Sequence, residues 1–277
     1  LFAKLPFGLQ KAFGKFIGLT MWYLVPYRKS VGLVNLRLCF PDWTEPARRQ
    51  LLKEHYAAMG IGLAELAVAW YRPDAFFFPI SKITGLEHLK TVEASGRGAL
   101  LVSAHFTTLE IVGRILLLNH HCSCLYRDPD QPVIAAEMRQ HRGERMKRAI
   151  PFKDIRALIQ ALREKHIIWY APDQGQKIKQ SVIAPFFGEP AVTNAVTGKL
   201  AAKTDAAILP FFGFRTEDGT YELEILPERT DIRDSDEVTS ARLTNEMIEA
   251  AIRKHPEQYF WLHKRFKRRG DGYPDVY

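Results

Sequence analysis

Cysteine is scarce: Cys39, Cys122 and Cys124 are the three in a chain of 277 residues. An odd, sparse set excludes the disulfide framework of a small secreted domain and fits a reducing compartment. Long apolar runs are missing as well. The longest uncharged stretch near the N-terminus, 16–27 (FIGLTMWYLVPY), has twelve residues between Lys15 and Arg28, whereas a membrane span needs about 20. There is no internal repeat and no low-complexity tract, so solenoids and fibrous chains fall away. His120-His121-Cys122-Ser123-Cys124 has no second Cys/His pair to complete a tetrahedral set, and no metal is expected. TGKLAAKT at 197–204 is only superficially a phosphate loop, because Thr193 stands where a Walker motif needs glycine. No G-x-S-x-G surrounds Ser103, which leaves covalent serine catalysis without support. No zinc-finger or RNP signature accompanies the basic charge, and no nucleic-acid partner is expected.

What is present is a globular composition, 47% apolar and 25% charged, with 39 basic residues against 31 acidic for a net charge of +8. Such a surplus favours an anionic partner. Residues 1–27 are rich in Leu, Phe, Trp and Tyr, with Lys4, Lys11 and Lys15 their only charges. This composition suits an interfacial helix, and equally an apolar helix packed on the domain. We expect an interfacial helix region over 1–30 and one domain over 31–277. The chain starts at Leu1 rather than Met, consistent with a trimmed N-terminus.

Apolar residues at helical spacing predict a helix over 45–71, bracketed by Pro41, Pro46 and Pro73. Continuous apolar runs predict buried strands at 98–104 and 166–171, with others at 123–126, 206–215 and 221–226. Helices are expected over 107–118, 132–148, 154–164 and 238–254. Strands alternating with helices predict an α/β fold, a mostly parallel sheet flanked by helices. An N-terminal helical, membrane-associating region precedes it.

The sharpest chemical feature is Ser103-Ala104-His105-Phe106-Thr107-Thr108-Leu109-Glu110. It sets a histidine at the C-terminal end of a strand, where α/β sheets gather their chemistry. A carboxylate follows five positions later. Were Glu110 to reach back to one imidazole nitrogen, it would fix the tautomer and leave the other nitrogen to accept a proton. A core histidine hydrogen-bonded to a nearby glutamate would produce the same string. At the other end, Lys264-Arg265-Phe266-Lys267-Arg268-Arg269 follows Tyr259-Phe260-Trp261. Interleaved aromatics and cations favour a contact surface for an anionic bilayer or an acidic carrier; a solvated tail is the plainer alternative.

Together these motifs resemble the late (secondary) acyltransferases of lipid A biosynthesis, lauroyl/myristoyl type, within the lysophospholipid acyltransferase superfamily. The segments that carry the resemblance are LRLCFPDW (36–43), SAHFTTLE (103–110), LYR (125–127) and IIWYAPDQ (167–174). They continue with APFFGEPAVT (184–193), ILPFF (208–212) and PEQYFWLHKRFKRR (256–269). The resemblance implies an acyltransferase-type α/β sandwich at the cytoplasmic face of the bacterial inner membrane. It implies transfer of a fatty acyl chain from acyl carrier protein to a hydroxyl of the 3-hydroxyacyl chains of a Kdo-bearing lipid A precursor, without a cofactor. His105 would be the general base and Glu110 its orienter. Arg142 would meet a phosphate or developing oxyanion, and Asp173 would complete the polar network or bind the acceptor. Arg127, Lys203, Lys264, Arg265 and Lys267 are candidates for headgroup or carrier contacts. Phe186, Phe187 and the N-terminal aromatics are candidates for an acyl groove. The usual Tyr-Arg-Pro is Tyr126-Arg127-Asp128-Pro129 here, and the turn at 193–196 lacks its expected glycine. Two other readings stay open: an acyltransferase acting on another glycolipid, such as a phosphatidylinositol mannoside, with acyl-CoA; and a non-catalytic basic membrane-binding protein.

Overall fold

The structure, a computed structural model, describes residues 2–174 and 181–277. Three helices lead: α1 (Phe7–Leu24), α2 (Pro26–Cys39) and α3 (Glu45–Tyr71). Pro26 has no amide hydrogen to continue α1 and suits the first turn of α2. Thr44 caps α3, its hydroxyl accepting from the Ala47 amide, and the helix spans the residues its periodicity predicts. α1 crosses α3 on glycines: a Cβ at Gly60 would run into the Gly14 carbonyl oxygen. The opposite face of α1 carries Leu9, Phe13, Phe16, Tyr23 and Leu24, each 52–72% exposed. Among the described residues no helix is long and apolar enough to cross a membrane.

The chain then alternates. In order come β1 (Ser81–Thr84), α4 (Leu86–Ala94), β2 (Ala99–Val102), α5 (Leu109–Asn119), β3 (Ser123–Tyr126), α6 (Pro132–Arg145), β4 (Ala149–Pro151), α7 (Ile155–Arg163) and β5 (Ile167–Tyr170). They continue with β6 (Ser181–Phe186), β7 (Glu189–Asn194), α8 (Val196–Thr204), β8 (Ala207–Arg215), β9 (Tyr221–Ile225), α9 (Thr230–Arg233) and α10 (Glu237–Lys254). Seven strands form one sheet in the order β1-β9-β8-β2-β5-β3-β4, parallel throughout except between β8 and β9. This is the mostly parallel, helix-flanked sheet expected. β6 and β7 form a separate antiparallel ribbon.

Every residue of β2 and β5 is buried, as strands covered on both faces must be. Their side chains alternate between two cores. Leu100, Val102, Ile168 and Tyr170 join Leu158, Leu200 and Ile248 from α7, α8 and α10. Ala99, Leu101, Ile167 and Trp169 join Ile111, Ile115 and Leu116 of α5. β2 and β5 pair in parallel with Val102 opposite Tyr170, so the loops leaving both strands emerge side by side at the same end of the sheet.

Candidate active site

His105 lies three residues beyond Val102, and Asp173 three beyond Tyr170. The register that pairs those two strand ends therefore brings His105 and Asp173 together. The imidazole Nδ1 is 2.6 Å from Asp173 Oδ1, and the His105 amide donates to Oδ2 at 3.1 Å. One carboxylate thus holds both backbone and ring of the histidine. The Asp173 side chain is 1% exposed and that of His105 36%, so the pair is an anchored carboxylate under a reachable ring. Burial pulls the His105 pKa down, but the charge of Asp173 and its hydrogen bond outweigh this and hold it above the ordinary value. Burial would raise the Asp173 pKa; its bonds to His105, with Arg265 nearby, hold it below the usual carboxylate range instead. With Nδ1 committed to Asp173, Nε2 is the nitrogen left to exchange a proton.

The expectation that Glu110 orients His105 is corrected. No hydrogen bond or ion pair joins them among the described residues. Glu110, on the first turn of α5, accepts from Arg142 at 2.7 Å and from the Trp70 indole at 3.1 Å. The physical reason is the register of β2 on β5: it brings Asp173 to Nδ1 from the neighbouring strand, whereas H-x4-E fixes only a distance along the chain. Arg142 comes from α6 and is only 12% exposed. Burial alone would lower its pKa, but the facing Glu110 raises it above the ordinary value. Arg145, one turn on, donates to the carbonyls of Ala69 and Trp70 and so caps α3. That cap fixes Trp70 against Glu110.

Two cavities meet at His105. One, of about 470 Å³, has an apolar wall of Leu125, Phe152, Ile155, Leu158, Val196 and Leu200, with Lys153, Tyr170, Gln174 and Asn194 as further polar groups. The other, of about 240 Å³, contains Glu110, Arg142, Cys124 and Trp169. Tyr126 and Arg127 border both. His105, Glu110 and Arg142 thus share one cavity, while Asp173 supports the histidine from behind.

The remaining candidates scatter. Arg127 is exposed at the rim of both cavities. Lys203 is exposed on the last turn of α8 and lines neither. Lys267 is exposed. Lys264 is held between the rings of Tyr27 and Tyr277, at 5.3 and 5.2 Å. Arg265 is no surface residue: it is 5% exposed, donates to the Val192 carbonyl and Thr193 hydroxyl, and stacks on Phe186. A cation so committed has no fork free for a headgroup. Phe186 and Phe187 are core residues and line neither cavity. His120 pairs with Glu93 at 3.1 Å, and burial pushes the Cys124 thiol up to about 11. Trp70 and the partnership of Asp173 with His105 escaped the sequence reading. The second had a signal: two fully apolar strands, each followed at the same distance by a His and an Asp.

Residues 1–268 match the sequence model of the family described as bacterial lipid A biosynthesis acyltransferase. The chain is 34% identical over 279 residues to the lipid A biosynthesis lauroyltransferase of Escherichia coli, covering 100% of this chain and 91% of that one. It is 36% identical over 248 residues to a lipid A biosynthesis acyltransferase of Haemophilus influenzae, covering 88% and 79%. It is 32% identical over 279 residues to the lipid A biosynthesis palmitoleoyltransferase of Escherichia coli, covering 100% and 91%. Among solved structures it aligns with the 1-acyl-sn-glycerophosphate acyltransferase of Thermotoga maritima at 13% identity and a TM-score of 0.41, over 91% of this chain and 97% of that one. That last likeness is too loose to bear on the site. The first three are not, and with the family match they establish that this chain is an acyltransferase belonging to the bacterial lipid A biosynthesis acyltransferase family.

Proposed function

We propose that the protein moves a fatty acyl chain from the thioester of acyl carrier protein to a free hydroxyl on the 3-hydroxyacyl chains of a Kdo-bearing lipid A precursor. The observation that carries this reading is a buried carboxylate fixing a reachable histidine where two cavities meet, one with a broad apolar wall and one holding the Glu110–Arg142 pair. His105 Nε2 takes the proton of the acceptor hydroxyl as its oxygen attacks the thioester carbonyl. The C–S bond breaks, and the imidazolium returns the proton to the leaving thiolate. No acyl-enzyme is needed. Asp173 holds the ring in the tautomer that accepts at Nε2 and stabilises the imidazolium. Glu110 and Arg142 form a fixed charge pair on the acceptor side, where the guanidinium faces a phosphate or the developing oxyanion. The cavity with the apolar wall takes the donor chain.

The same reading sets the enzyme on the cytoplasmic face of the inner membrane. The exposed apolar face of α1 supports this, as does a first stretch that carries Lys4, Lys11, Lys15, Arg28 and Lys29 and no acidic residue before Asp42. A helix of that kind lies in the interface, its apolar side among acyl chains and its cations at anionic headgroups.

Detergent-solubilised protein, mixed with Kdo-containing tetra- or penta-acyl precursors and a panel of acyl carrier protein thioesters, should raise the acceptor mass by one acyl chain. The gain should vanish in His105→Ala. Transfer from acyl-CoA but from no carrier thioester would overturn the donor, and transfer undiminished in His105→Ala would overturn the base.

A further inference from the structure

Residues 255–266 follow α10 with little regular structure, yet Gln258, Tyr259, Trp261, Leu262, Arg265 and Phe266 are all buried. This strap runs beneath the catalytic loop and is bonded to it. The Thr107 amide donates to the Gln258 carbonyl at 2.8 Å, and the Phe260 amide donates to the His105 carbonyl at 2.9 Å. Phe106 and Tyr259 face each other between these bonds as an antiparallel bridge. His105 is therefore gripped from two sides, its amide and ring by Asp173 and its carbonyl by the strap.

The height of the strap is set by one side chain. Gln258 is 3% exposed. Its Oε1 accepts from the Arg215 amide at 2.9 Å, and its Nε2 donates to the Arg215 carbonyl at 2.8 Å. The carboxamide thus stands in for a neighbouring strand at the end of β8. Arg215 is itself immobilised by a two-pronged ion pair with Glu65 of α3, at 2.5 and 2.7 Å, to which Tyr221 also donates. The Glu65 carboxylate, 1% exposed, has no part in the chemistry; it anchors this chain of contacts. β8 pairs with β2, the strand that delivers His105. A shift of the strap against β8 would move the His105 carbonyl while Asp173, carried by β5, stayed in place.

We propose that Gln258 is a positioning residue for His105: its carboxamide, locked to the Arg215 backbone, holds the strap at the height that keeps the imidazole on Asp173. The proposal rests on His105 acting as the base. Misplacement of a catalytic group by about 1 Å costs on the order of 10²-fold in rate. An ordinary packing residue would be replaceable by an apolar side chain of similar length; a positioning residue would not.

The test is Gln258→Met, which keeps the length and removes both bonds to Arg215, together with the one that Nε2 donates to Glu257 Oε1 at 2.9 Å. We expect kcat to fall about 10- to 100-fold with KM for donor and acceptor within about twofold. By NMR of the selectively labelled histidines, without substrate, the His105 ring should titrate about half a unit or more lower as its contact with Asp173 loosens. In an Asp173→Asn background the same change should cost less than about threefold more, because the contact it protects is already lost. Wild-type kcat with wild-type titration, or full additivity with Asp173→Asn, would overturn the proposal. If the titration moves but no acyl acceptor is found, the positioning role stands and the acceptor assignment fails. Should Gln258→Met not fold, Gln258→Glu carries the same readings, since its second oxygen would face the Arg215 carbonyl. Failure of both to fold would make the residue structural and overturn the proposal.

Discussion

The first 30 residues and the strap at 255–266 have similar compositions, aromatic and basic, and opposite fates. In α1 Leu9, Phe13, Phe16, Tyr23 and Leu24 fall on one helical face and stay exposed, while Trp22 packs on Tyr56 and the glycines of the other face meet α3. In the strap the aromatics follow one another without period, and Tyr259, Trp261 and Phe266 are 4%, 1% and 0% exposed. Even a cation is used inside: Arg265 is buried, and just beyond the strap Arg269 pairs with Glu189. Aromatic-basic composition therefore does not identify a surface. Periodicity does, because only a segment that can turn its apolar side outward as a stripe presents a continuous face to a bilayer.

The contrast is sharpest where the strap serves the site. Asp173→Asn should leave the fold intact and cut kcat by about 10⁴-fold through the wrong tautomer. The wild-type rate should rise with pH as His105 loses its proton, through a pKa above its ordinary 6.5, and that midpoint should move down in the variant. Next in size, Trp261→Ala should destabilise the protein by about 3–5 kcal/mol in denaturant unfolding, as for a fully buried indole.

A third effect comes from His55 of α3, which is 0% exposed and lies 3.1 Å from the Glu257 carbonyl of the strap. Burial lowers its pKa from 6.5 to about 4. Between those values the unfolded chain binds a proton that the folded chain refuses, so stability falls as pH drops from 6.5 towards 4. His55 alone would account for about 3 kcal/mol of that fall, and His55→Gln should flatten it. Smallest is Phe16→Ser on α1. It should change folding stability by less than about 0.5 kcal/mol yet weaken binding to anionic vesicles about tenfold in a flotation assay. Loss of stability without loss of vesicle binding would erase the contrast between the two regions.

Much of the fold could be read from residues alone, because its elements announce themselves locally. The helix over 45–71 has period and cap, the strands at 99–102 and 167–170 are unbroken apolar runs, and 207–215 is apolar but for Pro210, Gly213 and its last residue, Arg215. The ribbon β6–β7 was not seen, since Pro185 and Pro190 break the strand pattern and the pairing lies outside the main sheet. The sequence of α8 superficially resembles a phosphate loop through Gly198, whose missing side chain instead makes room for Ser240 and the Ile232 carbonyl. Of the candidate site, His105, Glu110, Arg142 and Asp173 stand out in the sequence, but the structure pairs His105 with Asp173 and Glu110 with Arg142. A local string such as H-x4-E says which groups are near in sequence; who bonds whom was decided by the register of β2 on β5. The role of Gln258 is further out of reach, since its partner, Arg215, is 43 residues away.

The strap has one more consequence, for the order in which the molecule is made. A chain emerging from the ribosome releases α1 well before residues 255–266, and N-terminal parts come free while later ones are still being added. α1 can settle on a membrane surface early, and the sheet can assemble after it. Until the strap is threaded under residues 105–107, however, the histidine loop lacks two of its backbone partners. The growing polypeptide would thus reach its lipid surface before it can react there.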